Sequence, residues 1–221
     1  MRRIVVAGAS RGFGAAVARH YSAGDAVISL SRGRSAHGTW LPCDLSDPAQ
    51  IADVAGRIAG PVDALIFVAG IWEAEAFSPG YSLAGSSVDE ISRILAINLQ
   101  APILLAKALT AKLAGGRIIL IGSTSGLDHT GTPEVAYNAS KAGLRGAAQA
   151  MAHALAGQGI AVSILNPGDI GTDDVLAAKD DGTMRPGGSL PMSDLLAAVD
   201  LLMALSPQAS SCEINLVPLG Q

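Results

Sequence analysis

Gly8-Ala9-Ser10-Arg11-Gly12-Phe13-Gly14 follows the short apolar run Ile4–Ala7 and opens into a stretch with helical spacing, Gly12–Tyr21. A buried strand, a glycine-rich turn and a helix in that order decide the fold. Glycines permit the tight turn and let the backbone approach a pyrophosphate, and the helix N-terminus offers unpaired N–H groups and the positive end of its dipole. The spacing is G-x-x-x-G-x-G, and the lysine of a P-loop is absent, so ATP chemistry is not indicated.

Downstream, the same alternation repeats. Strands are expected at Ala26–Leu30, Thr39–Leu41, Ala64–Val68, Arg117–Ile121, Ile160–Leu165 and Glu213–Val217. Helices are expected at Asp47–Ile58, where Pro48 suits the first turn, and at Ser87–Leu113, opened by the capping box Ser87-Val88-Asp89-Glu90 and bent at Pro102. Two more are expected at Glu134–Gly157 and Ser193–Leu205. Asp173–Pro191 is polar and without period. The strands are continuous apolar runs, as in a sheet covered on both faces. The fold class is therefore α/β: one doubly wound sheet of about seven mostly parallel strands, helices on both faces, in a single domain spanning 1–221. The polar link Ser31–Gly38 is anomalous, because a parallel crossover normally takes a dozen or more residues and a helix.

Composition narrows the function. The chain has 221 residues, 49% hydrophobic and 15% charged, which suits one full core and excludes disorder. Mean hydropathy is +0.39, yet the apolar runs Ala101–Ala108 and Ile118–Ile121 fall short of the ~20 residues of a spanning helix. No membrane partner is expected. Net charge is −4 and aromatics are 4%, which argues against a nucleic-acid partner. The N-terminus has no signal-peptide core, and Cys43 and Cys212 have no CxxC spacing, so the expected setting is the cytoplasm with both thiols reduced. The four histidines are scattered without zinc spacing, and no metal is expected.

Tyr137 and Lys141 lie four apart on an expected helix and share one face. Free tyrosine has a pKa near ~10, and a nearby ammonium favours the phenolate. Ser123 follows a strand, where a hydroxyl can hold an oxygen on which charge develops. Together with the glycine loop, these residues resemble the short-chain dehydrogenase/reductase family. Asp44-Leu45 resembles the pair that contacts the adenine. Val68-Ala69-Gly70 resembles the family's Asn-Asn-Ala-Gly motif with both asparagines missing. Asn98, Ser123 and Tyr137-Asn138-Ala139-Ser140-Lys141 resemble the catalytic set. Pro167, Gly168, Ile170 and Thr172 resemble the segment that closes on the nicotinamide. The resemblance covers nearly the whole chain. It implies a Rossmann-type domain, reduction of a ketone or aldehyde or the reverse reaction, Tyr137 as general acid/base, Asn98 holding a water in a relay with Lys141, and a homodimer or homotetramer. Spacing to Tyr137 favours Thr124 as the catalytic hydroxyl, whereas the Ser-x-x-Gly pattern favours Ser123, which is preferred.

Cofactor choice follows from charge. The position after the second strand holds Ser31-Arg32 where an acidic residue would favour NAD(H). Arg32 and Arg11 can grip a 2′-phosphate and Ser10 and Ser31 can donate hydroxyls, so NADP(H) is expected, with NAD(H) as the alternative. The expected cofactor contacts are thus Gly8, Ser10, Arg11, Gly12, Phe13, Gly14, Ser31, Arg32, Asp44, Leu45, Ala69, Gly70, Tyr137, Lys141, Pro167, Gly168, Ile170 and Thr172. The substrate, a small carbonyl compound or alcohol, should be walled by 71–85, 124–133 and 168–192, with a lid at about 169–192. Glu73 and Glu75 are read first as surface charge and His129 as solvated. A pterin-reductase-like enzyme, to which the short link is similar, and an NADP-binding sensor without turnover are the alternatives. A hydrolase of Ser123, His129 and Asp128 is disfavoured, because 122–126 is one residue too long for G-x-S-x-G.

Overall fold

Successive strand residues point to opposite faces of one sheet, and both faces are buried. In β1 (Arg3–Ala7), Val5 and Ala7 join one core cluster while Ile4 and Val6 join the other. The structure is a computed structural model that describes residues 1–127, 132–180, 182–184, 187–206 and 208–219. Among these residues the chain continues through α1 (Gly12–Ser22), β2 (Ala26–Ser31), β3 (Thr39–Pro42), α2 (Pro48–Arg57) and β4 (Ala64–Phe67). Then come α3 (Val88–Leu95), a π turn at Ala96–Gln100, α4 (Ala101–Leu109), β5 (Arg117–Ile121) and α5 (Val135–Leu155). The chain closes with β6 (Ala161–Pro167), α6 (Asp173–Asp180), α7 (Met192–Ala204) and β7 (Glu213–Leu216). Strand order is β3-β2-β1-β4-β5-β6-β7, and every pairing is parallel.

Helices α2, α4 and α5 cover one face through Ile51, Val54, Leu105, Leu109, Leu144 and Ala148. Helices α1 and α7 cover the other through Phe13, Val17, Tyr21, Leu195, Val199 and Leu202. The order reverses between β1 and β4, and a crevice at such a switch point is where an open parallel sheet binds ligands.

The link from β2 to β3 is as short as expected and carries no helix. Register explains why seven residues suffice. Thr39 pairs with Ile28 and Pro42 with Ser31, so the chain returns only three residues, about 10 Å, along the strand. Gly38 makes the turn at φ +75°, where a Cβ would press on Val27.

Four expectations change. The helix expected over Ser87–Leu113 is interrupted by the π turn ahead of Pro102. Residue 102 has no N–H for the carbonyl of Asn98, so the α-helical ladder cannot run through unbroken. The capping box is half made. Ser87 Oγ accepts the Glu90 N–H at 3.1 Å, but Glu90 Oε1 accepts from Ala74 N–H at 2.6 Å. The region expected to lack period holds α6. Finally, Val88–Lys112 is long and apolar enough to cross a membrane by length and composition alone, although 44% of its most apolar window is buried within the fold.

Candidate active site

A cleft of about 930 Å³ runs along the C-terminal ends of the strands. Its nucleotide half is mostly backbone. Gly8 sits at φ +93°, and a Cβ there would lie 2.6 Å from the Ala69 nitrogen. A Cβ on Gly14 would overlap the Gly8 carbonyl. These two contacts let β1, the turn and the start of α1 close on one another. The α1 N-cap, Arg11, makes no side-chain cap bond to its helix. Gly12 and Phe13, which carry the first helical N–H groups, line the cleft with Ser10 and Arg11. The residues present therefore fit a dinucleotide, whose pyrophosphate such a turn and helix end would hold.

Ser31, Arg32, Asp44, Leu45, Ala69, Gly70, Pro167, Gly168, Ile170 and Thr172 line the same cleft. Arg32 is exposed. Asp44 accepts the Ser46 N–H and Oγ–H at 2.9 and 2.7 Å. Burial opposes ionisation of its carboxyl, but the Ser46 bonds and the field of Arg32 hold its pKa below the ordinary value. One detail differs from expectation. Ser31 Oγ donates to the Gly33 carbonyl at 2.7 Å, so this hydroxyl's proton braces the short link and is not offered to a phosphate.

Ser123, Tyr137 and Lys141 come together deeper in the cleft. Ser123 lies two residues after β5 and caps the turn Thr124–Gly126 by accepting the Ser125 N–H at 3.1 Å. Its hydroxyl also acts on the Tyr137 phenol, favouring the phenolate. Burial pushes the phenol up to about 12, and Ser123 pulls the other way. Lys141 Nζ lies 5.7 Å from the Tyr137 ring centre and donates to the Ile121 carbonyl at 3.0 Å. Burial lowers its pKa to about 8. Gly70 makes room for it, since a Cβ there would sit 3.4 Å from Nζ.

Asn98 does not line the cleft. Fully buried in the π turn, it accepts the Ile71 N–H at 2.9 Å and donates to the Ile71 carbonyl at 2.7 Å and to Ser140 Oγ at 3.0 Å. Its side chain thus ties the segment after β4 to α5.

The half of the cleft away from the glycine turn is walled by Trp72 and Phe77, which meet each other and Tyr137 edge to face with centroids 5.4–6.4 Å apart. Glu73, expected at the surface, is 1% exposed. Its Oε1 accepts the N–H groups of Ala136 and Tyr137 at 2.9 and 3.3 Å, which is why a carboxylate is buried there. Glu134 is buried too and accepts the Phe77 N–H at 2.8 Å. Glu134 was missed and Glu73 was misread as surface charge, because a lone glutamate carries no motif; the one signal is that 134 opens a helix without Ser, Thr, Asp or Asn. On the third wall, Lys179 Nζ reaches Asp169 Oδ2 at 2.7 Å, Ser189 Oγ at 3.0 Å and the carbonyls of Gly187 and Gly188 at 3.0 and 3.2 Å. Asp128 and His129 lie outside the described residues.

Comparison with known proteins agrees with this architecture. The chain is 32% identical to the 3-oxoacyl-(acyl-carrier-protein) reductase FabG of Escherichia coli, over 93% of this chain and 88% of that protein. It is 30% identical to the cyclic-di-GMP-binding biofilm dispersal mediator protein of Escherichia coli, over 83% and 78% of the two chains. The crystal structure of a metagenomic short-chain oxidoreductase in complex with NADP superposes with a TM-score of 0.78 at 28% identity, covering 100% of this chain and 98% of that one. The family model for short chain dehydrogenases matches residues 2–181, so a glycine turn, a Ser–Tyr–Lys set and a seven-stranded parallel sheet meet in a chain that belongs to the short-chain dehydrogenase family, whose members are NAD(P)-dependent oxidoreductases.

Proposed function

We propose that the protein is an NADP(H)-dependent oxidoreductase that reduces a small ketone or aldehyde to an alcohol, or runs the reverse reaction, with Tyr137 as general acid/base. The observation that carries this reading is the convergence of Ser123, Tyr137 and Lys141 on the cleft that the glycine turn opens. When bound, the nicotinamide supplies or takes the hydride. Ser123 orients the substrate oxygen, and the Tyr137 hydroxyl gives it a proton as charge develops there. Lys141 then favours the phenolate left behind. Asn98, whose carbonyl is released from the α-helical ladder by Pro102, holds the water that returns a proton towards Lys141.

The preference for NADP(H) rests on Arg32 and Arg11 with no carboxylate at the end of β2, and the solved relative's complex with NADP accords with it. Residues 169–192 act as a lid over the substrate. The assembly is a homodimer or homotetramer, favoured by the exposed apolar residues Val88, Leu95, Ile103 and Val135 on α3, α4 and α5. The setting is the cytoplasm, consistent with two free thiols.

Titration with NADPH and NADH tests the cofactor. Arg32→Ala is expected to weaken NADPH binding about 10- to 100-fold and leave NADH within twofold, as for loss of a charge-assisted phosphate pair. Equal binding of both cofactors by the native protein would favour the pterin-reductase-like alternative. A screen of ketones, aldehydes and quinones with NADPH tests the reaction. Tyr137→Phe is expected to lower kcat about 100- to 10,000-fold with NADPH affinity unchanged. Cofactor binding without any turnover would instead support a binding protein, a reading that the cyclic-di-GMP-binding relative keeps in view.

A further inference from the structure

A helix leaves its first N–H groups without intrahelical partners, and an N-cap Ser, Thr, Asp or Asn commonly takes one of them. The N-cap of α5 is Glu134, and its side chain makes no such bond. The first three N–H groups of α5 go instead to the wall that follows β4: Val135 to the Tyr81 hydroxyl at 3.0 Å, Ala136 and Tyr137 to Glu73 Oε1 at 2.9 and 3.3 Å. The exchange is reciprocal, because Glu134 Oε1 accepts the N–H of Phe77 on that wall. Phe77 is, among the described residues, the one non-glycine residue at positive φ, +62°. This left-handed conformation is unfavourable for a bulky side chain, and the clamp holds it there with its ring against Tyr137. Glu73 Oε2 is buried without a hydrogen-bond partner among the described residues.

We propose that Glu73 is a positioning residue for Tyr137: it locks the aromatic wall to the first turn of α5, so that wall and tyrosine are placed as one piece. This rests on Tyr137 being the acid/base group. The lock has an electrical side. The charged groups that act on Tyr137 are Lys141 one turn along α5, Glu134 at its start, Glu73 on the wall and Asp169 beyond β6. The three carboxylates disfavour the phenolate, and only Glu73 bonds the tyrosine's own N–H. Glu73 thereby helps to keep the proton on Tyr137 until the substrate oxygen takes it.

Tyrosine ionisation can be read without a substrate. The chain has three tyrosines. Labelling with 3-fluorotyrosine, whose phenol is more acidic, gives three fluorine resonances, and Tyr137→Phe assigns one of them. In Glu73→Gln the amide oxygen still accepts the N–H groups but the charge is gone. The Tyr137 resonance is then expected to titrate about half a pH unit lower, both without cofactor and with NADP⁺. In Glu73→Ala the lock is lost as well, and kcat for 2,3-butanedione with NADPH is expected to fall about 10-fold, with the Kd for NADPH unchanged. An unmoved Tyr137 titration in Glu73→Gln overturns the proposal, as does a Glu73→Ala protein that melts earlier but turns over at the native rate. If Glu73→Ala does not fold, the Glu73→Gln titration decides alone. The acid/base reading of Tyr137 fails separately, through retained turnover in Tyr137→Phe.

Discussion

In the nucleotide half of the cleft, a ligand would meet mainly backbone: the turn at Gly8–Gly14 and the open end of α1, held close because two glycines have no Cβ. In the half proposed to hold the substrate, the wall is held by side chains that cross between segments far apart in sequence. Glu73 reaches over 63 residues to Ala136, Glu134 over 57 to Phe77 and Asn98 over 27 to Ile71. The first half fails by overcrowding, and the second fails when a buried charge loses its partners. This difference sets the order in which perturbations should matter.

The largest effect belongs to the buried cation. Lys141 titrates near 8 in the folded protein because burial disfavours its charge, against an ordinary value of 10.5. Below pH 8 both states hold the proton, and the fold carries the whole cost of burying it. Between 8 and 10.5 the unfolded chain binds a proton that the folded one has lost, so stability rises with pH. Cofactor-free protein should therefore gain about 2 kcal/mol in urea unfolding between pH 7.5 and 9.5 relative to Lys141→Met. Tyr137 works in the opposite direction at higher pH. Its phenol is raised to about 12, so stability should fall as pH passes from 10 towards 12. Parallel curves for the two proteins up to pH 9.5 would mean that the Lys141 ammonium is not desolvated.

The glycine half gives an effect of similar size that changes sign with position. Gly14→Ala drives a methyl into the Gly8 carbonyl and should cost about 1–3 kcal/mol while weakening NADPH binding. Gly56 lies exposed in α2 with nothing within 4 Å of where its Cβ would be. There the same substitution should add about 0.5–1 kcal/mol. Denaturant midpoints of the pair check both signs. If Gly14→Ala proved as harmless as Gly56→Ala, close packing would not be what the glycine spacing secures.

The same contrast explains what could be read from the sequence. The turn at 8–14 was legible because backbone recognition needs glycines at fixed positions, and the strands because parallel sheets bury continuous apolar runs. Tyr137 and Lys141 were legible as a pair one helical turn apart. Glu73 and Glu134 were not. Nothing local distinguishes a glutamate that caps a distant helix from one in solvent, and only the tertiary contact satisfies it. Pro102 was noticed as a bend, but the resulting π turn that buries Asn98 depends on how α3 and α4 each pack on the sheet. Helix α6 escaped notice because its sequence, DDVLAAKD, has little periodic apolar pattern.

Lys179 gives the smallest predicted effect and separates the proposed lid at 169–192 from the rest of the half proposed to hold the substrate. It leaves α6, yet its side chain is 9% exposed and gathers acceptors from both ends of the lid, Asp169 on one side and 187–189 on the other. A backbone bridge between Ile170 and Leu190 also joins the two ends of the segment. Lys179→Ala removes this hub at a site where Lys179 contributes nothing to the lining of the cleft. Charge-assisted bonds of this kind contribute about 1.5–3 kcal/mol when desolvated, but Asp169 is 43% exposed and water can replace the lysine there. A loss near 1 kcal/mol is therefore expected, felt by the lid and not by the core. The expected result is a several-fold rise in substrate KM, with NADPH affinity and the global unfolding midpoint nearly unchanged. A fall in NADPH affinity equal to the rise in KM would show instead that the hub serves the nucleotide half, and that the two halves share one support at the lid.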